Sequence, residues 1–171
     1  NFLCKNIWYD SSNNNLEYLS SLMIMAEVSK TLLQDEEKVD LYKDLYDAVN
    51  AIKHSDKPLL IAGFIITKVL KIAGYEFEVN KCVFCGTRKG ISSFSFADGG
   101  FVCKECEDET TDHSMTVEQM FLIRDLFINN EIVTDSKYYS MNNMNVILEK
   151  FNDFIKDSIG FDLKSFSLLN N

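Results

Sequence analysis

The organisation of this chain follows from residues 82–106, CVFCGTRKGISSFSFADGGFVCKEC. They contain two Cys-x-x-Cys pairs, Cys82 with Cys85 and Cys103 with Cys106, and 17 residues separate the pairs. Two pairs at this separation are the expected pattern of a four-cysteine zinc site. Two thiolates in one tight turn can both reach a tetrahedral zinc ion, at about 2.3 Å each. Because four protein ligands leave no open coordination position, we predict a structural rather than a catalytic Zn²⁺.

The segment between the two pairs predicts a β-hairpin that brings them together. Residues 94–96 (FSF) and 101–103 (FVC) alternate around the DGG at 98–100, which is typical of two strands joined by a glycine-containing turn. Gly86, directly after the first pair, allows the positive φ that such a turn often needs. The phenylalanines of the hairpin are expected to pack it against its neighbour. A base-stacking platform for nucleic acid is the alternative.

Other uses of the cysteines are less well supported. The chain starts without a charged segment and long apolar run, and its longest apolar stretch, 59–67, is too short to span a bilayer. We therefore expect a cytoplasmic protein, in which reduced thiols favour a metal over two disulfides. A thioredoxin-like redox pair would need an α/β fold. An iron–sulfur cluster remains open, as does His113 as a substitute ligand.

The remainder of the chain has the periodicity of helices. Apolar residues recur at helical spacing over 16–34, 39–52 and 140–159, and a further helix follows a capping box at 116–119. A helix over 59–73 is apolar almost all round and is expected at the buried centre of a bundle. In the first helix the predicted packing residues are Leu19, Leu22, Met23, Ala26, Leu32 and Leu33.

These patterns predict a mainly α fold, a helical bundle with a small inserted zinc-binding β-hairpin module. The helical domain covers 16–171, with the insert at about 77–112. Residues 1–9 (NFLCKNIWY) predict a strand, followed by a polar linker to residue 15. Because one strand is not stable by itself, it must pair with other strands.

Charge and motifs restrict the function. The net charge is −9, and Arg88 and Arg124 are the only arginines, so an extended basic patch for a phosphate backbone is not expected. A modest basic rim around the cysteines (Lys81, Arg88, Lys89 and Lys104) is outnumbered locally by carboxylates. Phosphate-binding loops, dinucleotide fingerprints and hydrolase motifs are absent from the sequence, and we predict no enzyme activity.

Taken in order, these residues resemble a known family. Helices, Cys-x-x-Cys-Gly, FSF, Gly-Gly, a second Cys-x-x-Cys and further helices are similar to the C-terminal region of the bacterial recombination mediator RecO. Residues 72–75 (IAGY), just before the cysteines, and 163–166 (LKSF), near the end, also fit. The resemblance extends from about residue 16 to residue 168.

The resemblance implies a two-part protein. An N-terminal OB-fold barrel binds single-stranded DNA, and a helical domain with a zinc-binding insert follows. Only residues 1–9 would correspond to that barrel here, as its last strand. The four cysteines carry over as zinc ligands one by one.

The implied role is DNA repair and recombination in the RecFOR pathway, in the bacterial cytoplasm at the nucleoid, without a membrane partner. The implied partners are RecR, the SSB C-terminal tail and single-stranded DNA, the last mainly through the barrel, to promote strand annealing and RecA loading. An unrelated zinc-stabilised interaction module is the alternative.

Overall fold

The computed structural model describes residues 16–109 and 111–170 as five α-helices and one hairpin. The helices are α1 (Leu16–Leu32), α2 (Lys38–Ile52), α3 (Pro58–Ile72), α4 (Val117–Ile128) and α5 (Met141–Phe154). Strands β1 (Ile91–Ser95) and β2 (Gly100–Cys103) pair antiparallel between α3 and α4. The mainly helical fold with an inserted hairpin is thereby confirmed. The strand expected over 1–9 lies outside the described residues.

Helix α3 is the centre of the bundle because its sequence is apolar on nearly every side. Pro58 occupies its first turn, where the missing N–H costs no hydrogen bond. Residues 58–67 are all buried, and α3 packs against α1, α2, α4 and α5. The polar Thr67 donates its hydroxyl hydrogen to the Phe64 carbonyl oxygen at 2.7 Å, so its burial leaves no donor unpaired. The predicted buried central helix is confirmed. Among the described residues, no helix is both long and apolar enough to cross a membrane.

Helix α1 confirms only part of the predicted packing face. Leu33 is buried and Leu22 and Leu32 pack against the core, but Ala26 is exposed. Leu19 and Met23 are 42% and 53% exposed, whereas Ile24 and Val28 are fully buried. The buried face also carries serines, so the sequence does not show it as an apolar face. Ser29 satisfies its hydroxyl by donating to a backbone carbonyl four residues earlier, at 2.7 Å, and can therefore be buried at little cost.

The same correction applies to exposed positions on α2 and α4. Tyr42 on α2 and Val117 and Phe121 on α4 belong to the apolar pattern of their helices, yet they are 70%, 56% and 41% exposed. Helix α4 faces the bundle with its other side, where Leu122 and Leu126 are buried. The capping box at its start is confirmed, because Thr116 and Gln119 exchange side-chain to backbone hydrogen bonds.

The end of the chain folds back onto α1. Helix α5 continues as a π-helical turn, Ile155–Ile159, and Gly160 (φ 89°) ends it. A 3₁₀ helix, Lys164–Asn170, follows. Its first N–H groups, those of Lys164 and Ser165, donate to the Glu27 carboxylate at 3.1 and 2.7 Å. Burial raises the pKa of Glu27, but the neighbouring Ser165 hydroxyl, these two backbone hydrogen bonds and the charge of Lys164 hold it below its ordinary value.

Candidate metal centre

The four predicted cysteines converge on one point. Their Sγ atoms all lie within 4.8 Å of one another, and Cys85 Sγ is 3.6 Å from Cys103 Sγ. Tetrahedral coordination at a zinc–sulfur distance of about 2.3 Å requires sulfurs about 3.8 Å apart. A disulfide would need about 2.05 Å. The spacing therefore fits four thiolates around one ion.

Each cysteine pair sits in a hydrogen-bonded turn. The Cys82 carbonyl oxygen accepts from the Gly86 N–H at 3.0 Å, and the Cys103 carbonyl oxygen accepts from the Cys106 N–H at 2.9 Å. Gly86 has a φ of 74°, the conformation predicted for it. Cys82 and Cys103 are buried, whereas Cys85 is exposed. The ion would lie at the edge of the module, with one side towards the interior.

A third backbone segment closes the hairpin, and the sequence did not reveal it. The Glu78 N–H donates to the Gly99 carbonyl oxygen at 2.8 Å, and the Phe101 N–H donates to the Glu78 carbonyl oxygen at 2.9 Å. A Cβ atom on Gly100 would collide with that carbonyl oxygen and lie 2.8 Å from the Glu78 nitrogen. Gly100 is therefore required for this close approach of two backbones, beyond its predicted place in a turn.

The sulfur atoms shift the pKa values of one another. Burial raises the pKa of Cys82, but hydrogen bonds from the backbone of Cys85, Cys103 and Phe84 outweigh it and lower the pKa to about 6. The side chains of Cys85 and Cys103 raise the pKa of Cys106 to about 12. These opposed shifts keep the thiols from ionising together. A divalent cation would let all of them ionise, because it stabilises every thiolate that it binds. The donor set thus suits a thiophilic metal ion.

The phenylalanines of the hairpin pack into the bundle. Phe94 and Phe101 are only 2% and 5% exposed. The ring centroid of Phe77 lies 5.6 Å from that of Phe94 and 5.1 Å from that of Phe154 on α5, and Phe96 lies 5.8 Å from Phe154. These rings pack the cysteine module against the helices. The alternative of a base-stacking platform on them is therefore wrong.

The other predicted residues lie apart from the sulfurs. His113 does not join the cysteine group, and its Nδ1 is 3.7 Å from a Glu107 carboxylate oxygen. Of the basic rim, Lys81 and Arg88 line one cleft together with Arg124 from α4. Arg124 could not be placed there from the sequence, because 35 residues separate it from Arg88.

Comparison with known proteins identifies the family. A sequence profile described as "Recombination protein O C terminal" matches residues 13–132, which include all four cysteines. The chain belongs to the RecO C-terminal family. This membership overturns the alternative of an unrelated zinc module. The match ends before α5, so the RecO family profile does not cover the helix that carries Phe154.

Several RecO relatives are similar over much of the chain. "DNA repair protein RecO" of Clostridium perfringens (strain 13) is 30% identical over 126 residues, which is 71% of this chain and 50% of that protein. The protein of the same name from Syntrophomonas wolfei is 27% identical over 119 residues, covering 68% and 47%. That from Thermoanaerobacter sp. is 24% identical over 163 residues, covering 92% and 64%. The chain spans about half the length of the curated relatives it matches.

Proposed function

We propose that this chain is the helical, zinc-binding part of a recombination mediator in DNA repair. The observation that carries the proposal is the family match over residues 13–132, together with relatives named DNA repair protein RecO. In this proposal residues 1–15 end an N-terminal OB-fold barrel, and residues 16–171 form the helical domain with its insert at about 77–112. The complete protein would act in the cytoplasm at the nucleoid, as a scaffold rather than an enzyme.

The proposed ion is a structural Zn²⁺ held by Cys82, Cys85, Cys103 and Cys106. Four thiolates at these spacings would complete a tetrahedral shell, which leaves no position for a substrate or a reactive water. The test is the absorption spectrum of the cobalt-substituted protein. Charge-transfer bands of four sulfur ligands are expected, and bands of a mixed sulfur and oxygen shell would contradict the proposal.

The proposed partners are RecR and the SSB C-terminal tail, through which the protein would promote strand annealing and RecA loading. An acidic, apolar peptide tail needs an apolar groove with cations beside it. A groove of about 410 Å³ between α1 and the 3₁₀ helix offers Met23, Ala26 and Leu168, and its two cations, Lys30 and Lys164, outnumber its one carboxylate, Glu27. This groove uses the face of α1 that the bundle leaves exposed, and its composition supports the proposal.

Lysines elsewhere on the helices are less suited to a peptide tail. Lys43 pairs with Asp47 at 3.2 Å, and Lys71 pairs with Glu76 at 2.7 Å. Their charge is partly neutralised within the protein, so the pair beside the α1 groove is the better candidate.

Fluorescence anisotropy with a labelled SSB tail peptide tests the groove. Met23→Glu should weaken peptide binding about tenfold or more, since it places an acid against an acidic tail. Val39→Glu is the matched control, because Val39 is 73% exposed on α2 and does not line the groove. Equal affinities of the two variants would exclude this groove. Absence of binding to both RecR and the tail, by the folded wild-type chain, would contradict the proposed function.

A further inference from the structure

A cleft between the cysteine module and α4 brings the two arginines of the chain together. It has a volume of about 320 Å³ and is lined by Glu78, Asn80, Lys81, Arg88 and Arg124. The first four come from the module and Arg124 comes from α4. All of these side chains are polar or charged, which disfavours an apolar ligand.

Among the residues that the structure describes, no carboxylate forms an ion pair with the guanidinium groups in this cleft. Acidic residues outnumber lysine and arginine by 26 to 17 in the sequence, so carboxylates are abundant. Yet within residues 16–109 and 111–170, neither Arg88 nor Arg124 forms an ion pair, and Arg124 donates only to the Asn80 Oδ1 atom at 3.3 Å. Glu78 lies 3.8 Å from Lys81 and offsets one charge of three. The cleft therefore keeps a positive surplus on a negative protein.

We propose that this cleft binds a phosphate group of a single-stranded nucleic acid. Two guanidinium groups present planar donor pairs that match phosphate oxygens, and Lys81 adds a point charge. An anion between them would relieve the repulsion of three neighbouring cations. That the phosphate belongs to a nucleic acid rests on the proposed role in DNA repair. The proposal that the cleft binds an anion rests on its charges alone.

The exposed Phe121 and the half-buried Tyr138 form an aromatic pair near Arg124 that suits a base. Phe121 precedes Arg124 by three residues on α4, which places their Cβ atoms about 5–6 Å apart on one face. The Phe121 ring is stacked on that of Tyr138, with centroids 4.8 Å apart and planes at 13°. A flat exposed ring one helical turn from a phosphate can stack the adjoining base without sequence preference. This arrangement favours nucleic acid over an acidic peptide.

The metal would hold the cleft in shape. Lys81 directly precedes Cys82, and Arg88 follows Cys85 by three residues, so both cations stand on the turn that binds the ion. Arg124, on α4, is placed independently of the metal. Loss of the metal would therefore release this turn and displace Lys81 and Arg88, two of the three cations.

A charge-matched pair of double variants tests the proposal on the zinc-loaded 171-residue chain. The probe is fluorescein-labelled (dT)₁₂ at about 20 mM salt, where electrostatic binding is strongest. Arg88→Ala with Arg124→Ala should lower the affinity about tenfold or more. Lys89→Ala with Lys104→Ala removes the same charge from outside the cleft and should lower it less than about threefold. Equal losses, or no detectable binding by the wild-type chain, would overturn the proposal.

Further experiments identify the molecule that carries the phosphate group. Phe121→Ala should weaken (dT)₁₂ binding but leave competition by inorganic phosphate unchanged. If inorganic phosphate binds with the same arginine dependence while (dT)₁₂ does not, the cleft is a free-phosphate site and the nucleic-acid assignment is wrong. If an acidic peptide is the probe that depends on the arginines, the assignment is equally wrong. Zinc content and far-UV circular dichroism of every variant verify the fold.

The proposed function has a separate readout. The arginine double variant should bind RecR and the SSB tail peptide as the wild type does. Loss of DNA binding with these interactions intact supports the cleft. Their absence in the wild-type chain would count against the proposed function and leave the DNA result standing.

Discussion

Replacing Gly100 with alanine should damage the cysteine module far more than replacing its neighbour Gly99. Both glycines have a positive φ, 84° at Gly99 and 151° at Gly100. Their surroundings differ. A Cβ on Gly99 would meet nothing within 4 Å, whereas one on Gly100 would collide with the Glu78 backbone. Two substitutions of the same size therefore separate backbone strain from a steric clash.

The size of the effect follows from the contacts. Alanine at the Gly100 conformation costs about 1–3 kcal/mol in backbone strain. The collision also forces the Glu78 strand away and breaks two hydrogen bonds, 2.8 and 2.9 Å long, that join it to the hairpin. Each is worth about 1 kcal/mol. The total is about 4 kcal/mol for Gly100→Ala, against about 1–2 kcal/mol for Gly99→Ala.

Zinc affinity is the appropriate measurement, because the folding of a small metal module is coupled to binding of the ion. Competition with a chromophoric chelator should show about a 1,000-fold loss for Gly100→Ala and about tenfold for Gly99→Ala, since 1.4 kcal/mol corresponds to a factor of ten. Far-UV circular dichroism should remain close to that of the wild type in both variants. If the two variants bind zinc within threefold of each other, the close approach at Glu78 does not stabilise the module.

Three further outcomes are expected. Chelation of the metal should expose the hairpin amides to hydrogen exchange while the helical circular dichroism is largely kept, because the bundle core surrounds α3; loss of both together would contradict this. Phe77→Ala should destabilise the protein by about 3–5 kcal/mol in urea unfolding, against about 0.5 kcal/mol for the exposed Phe161→Ala. Glu27→Gln should cost about 1 kcal/mol at pH 7. The Glu27 pKa is held below its ordinary 4.5 in the folded state, so its contribution to stability is present above that pH and is lost as the pH falls further. The stabilities of wild type and variant should therefore converge in acid.

The sequence predicted those features that depend on local spacing. The helices, the capping box at Thr116, the hairpin and the meeting of the four cysteines all follow from periodicity or from ligand spacing, which a short stretch of chain contains. The buried face of α1 could be predicted only in part, because it also contains Ser29, which is buried at little cost only when it bonds to its own helix. The role of Gly100 depends on Glu78, and the position of Arg124 depends on how α4 packs; both are tertiary facts.

The two proposed binding surfaces differ in their dependence on the metal, and this difference follows from the fold. The groove on α1 is built from α1 and the 3₁₀ helix, which Glu27 joins through two backbone hydrogen bonds. Within the described residues, the lining of this groove includes none of the four cysteines. The arginine cleft takes most of its charge from the turn around Cys82 and Cys85. Metal loss would then abolish the contact with nucleic acid and spare the contact with the peptide partner. A structural ion far from any chemistry would in this way control one interaction of a scaffold without affecting the other.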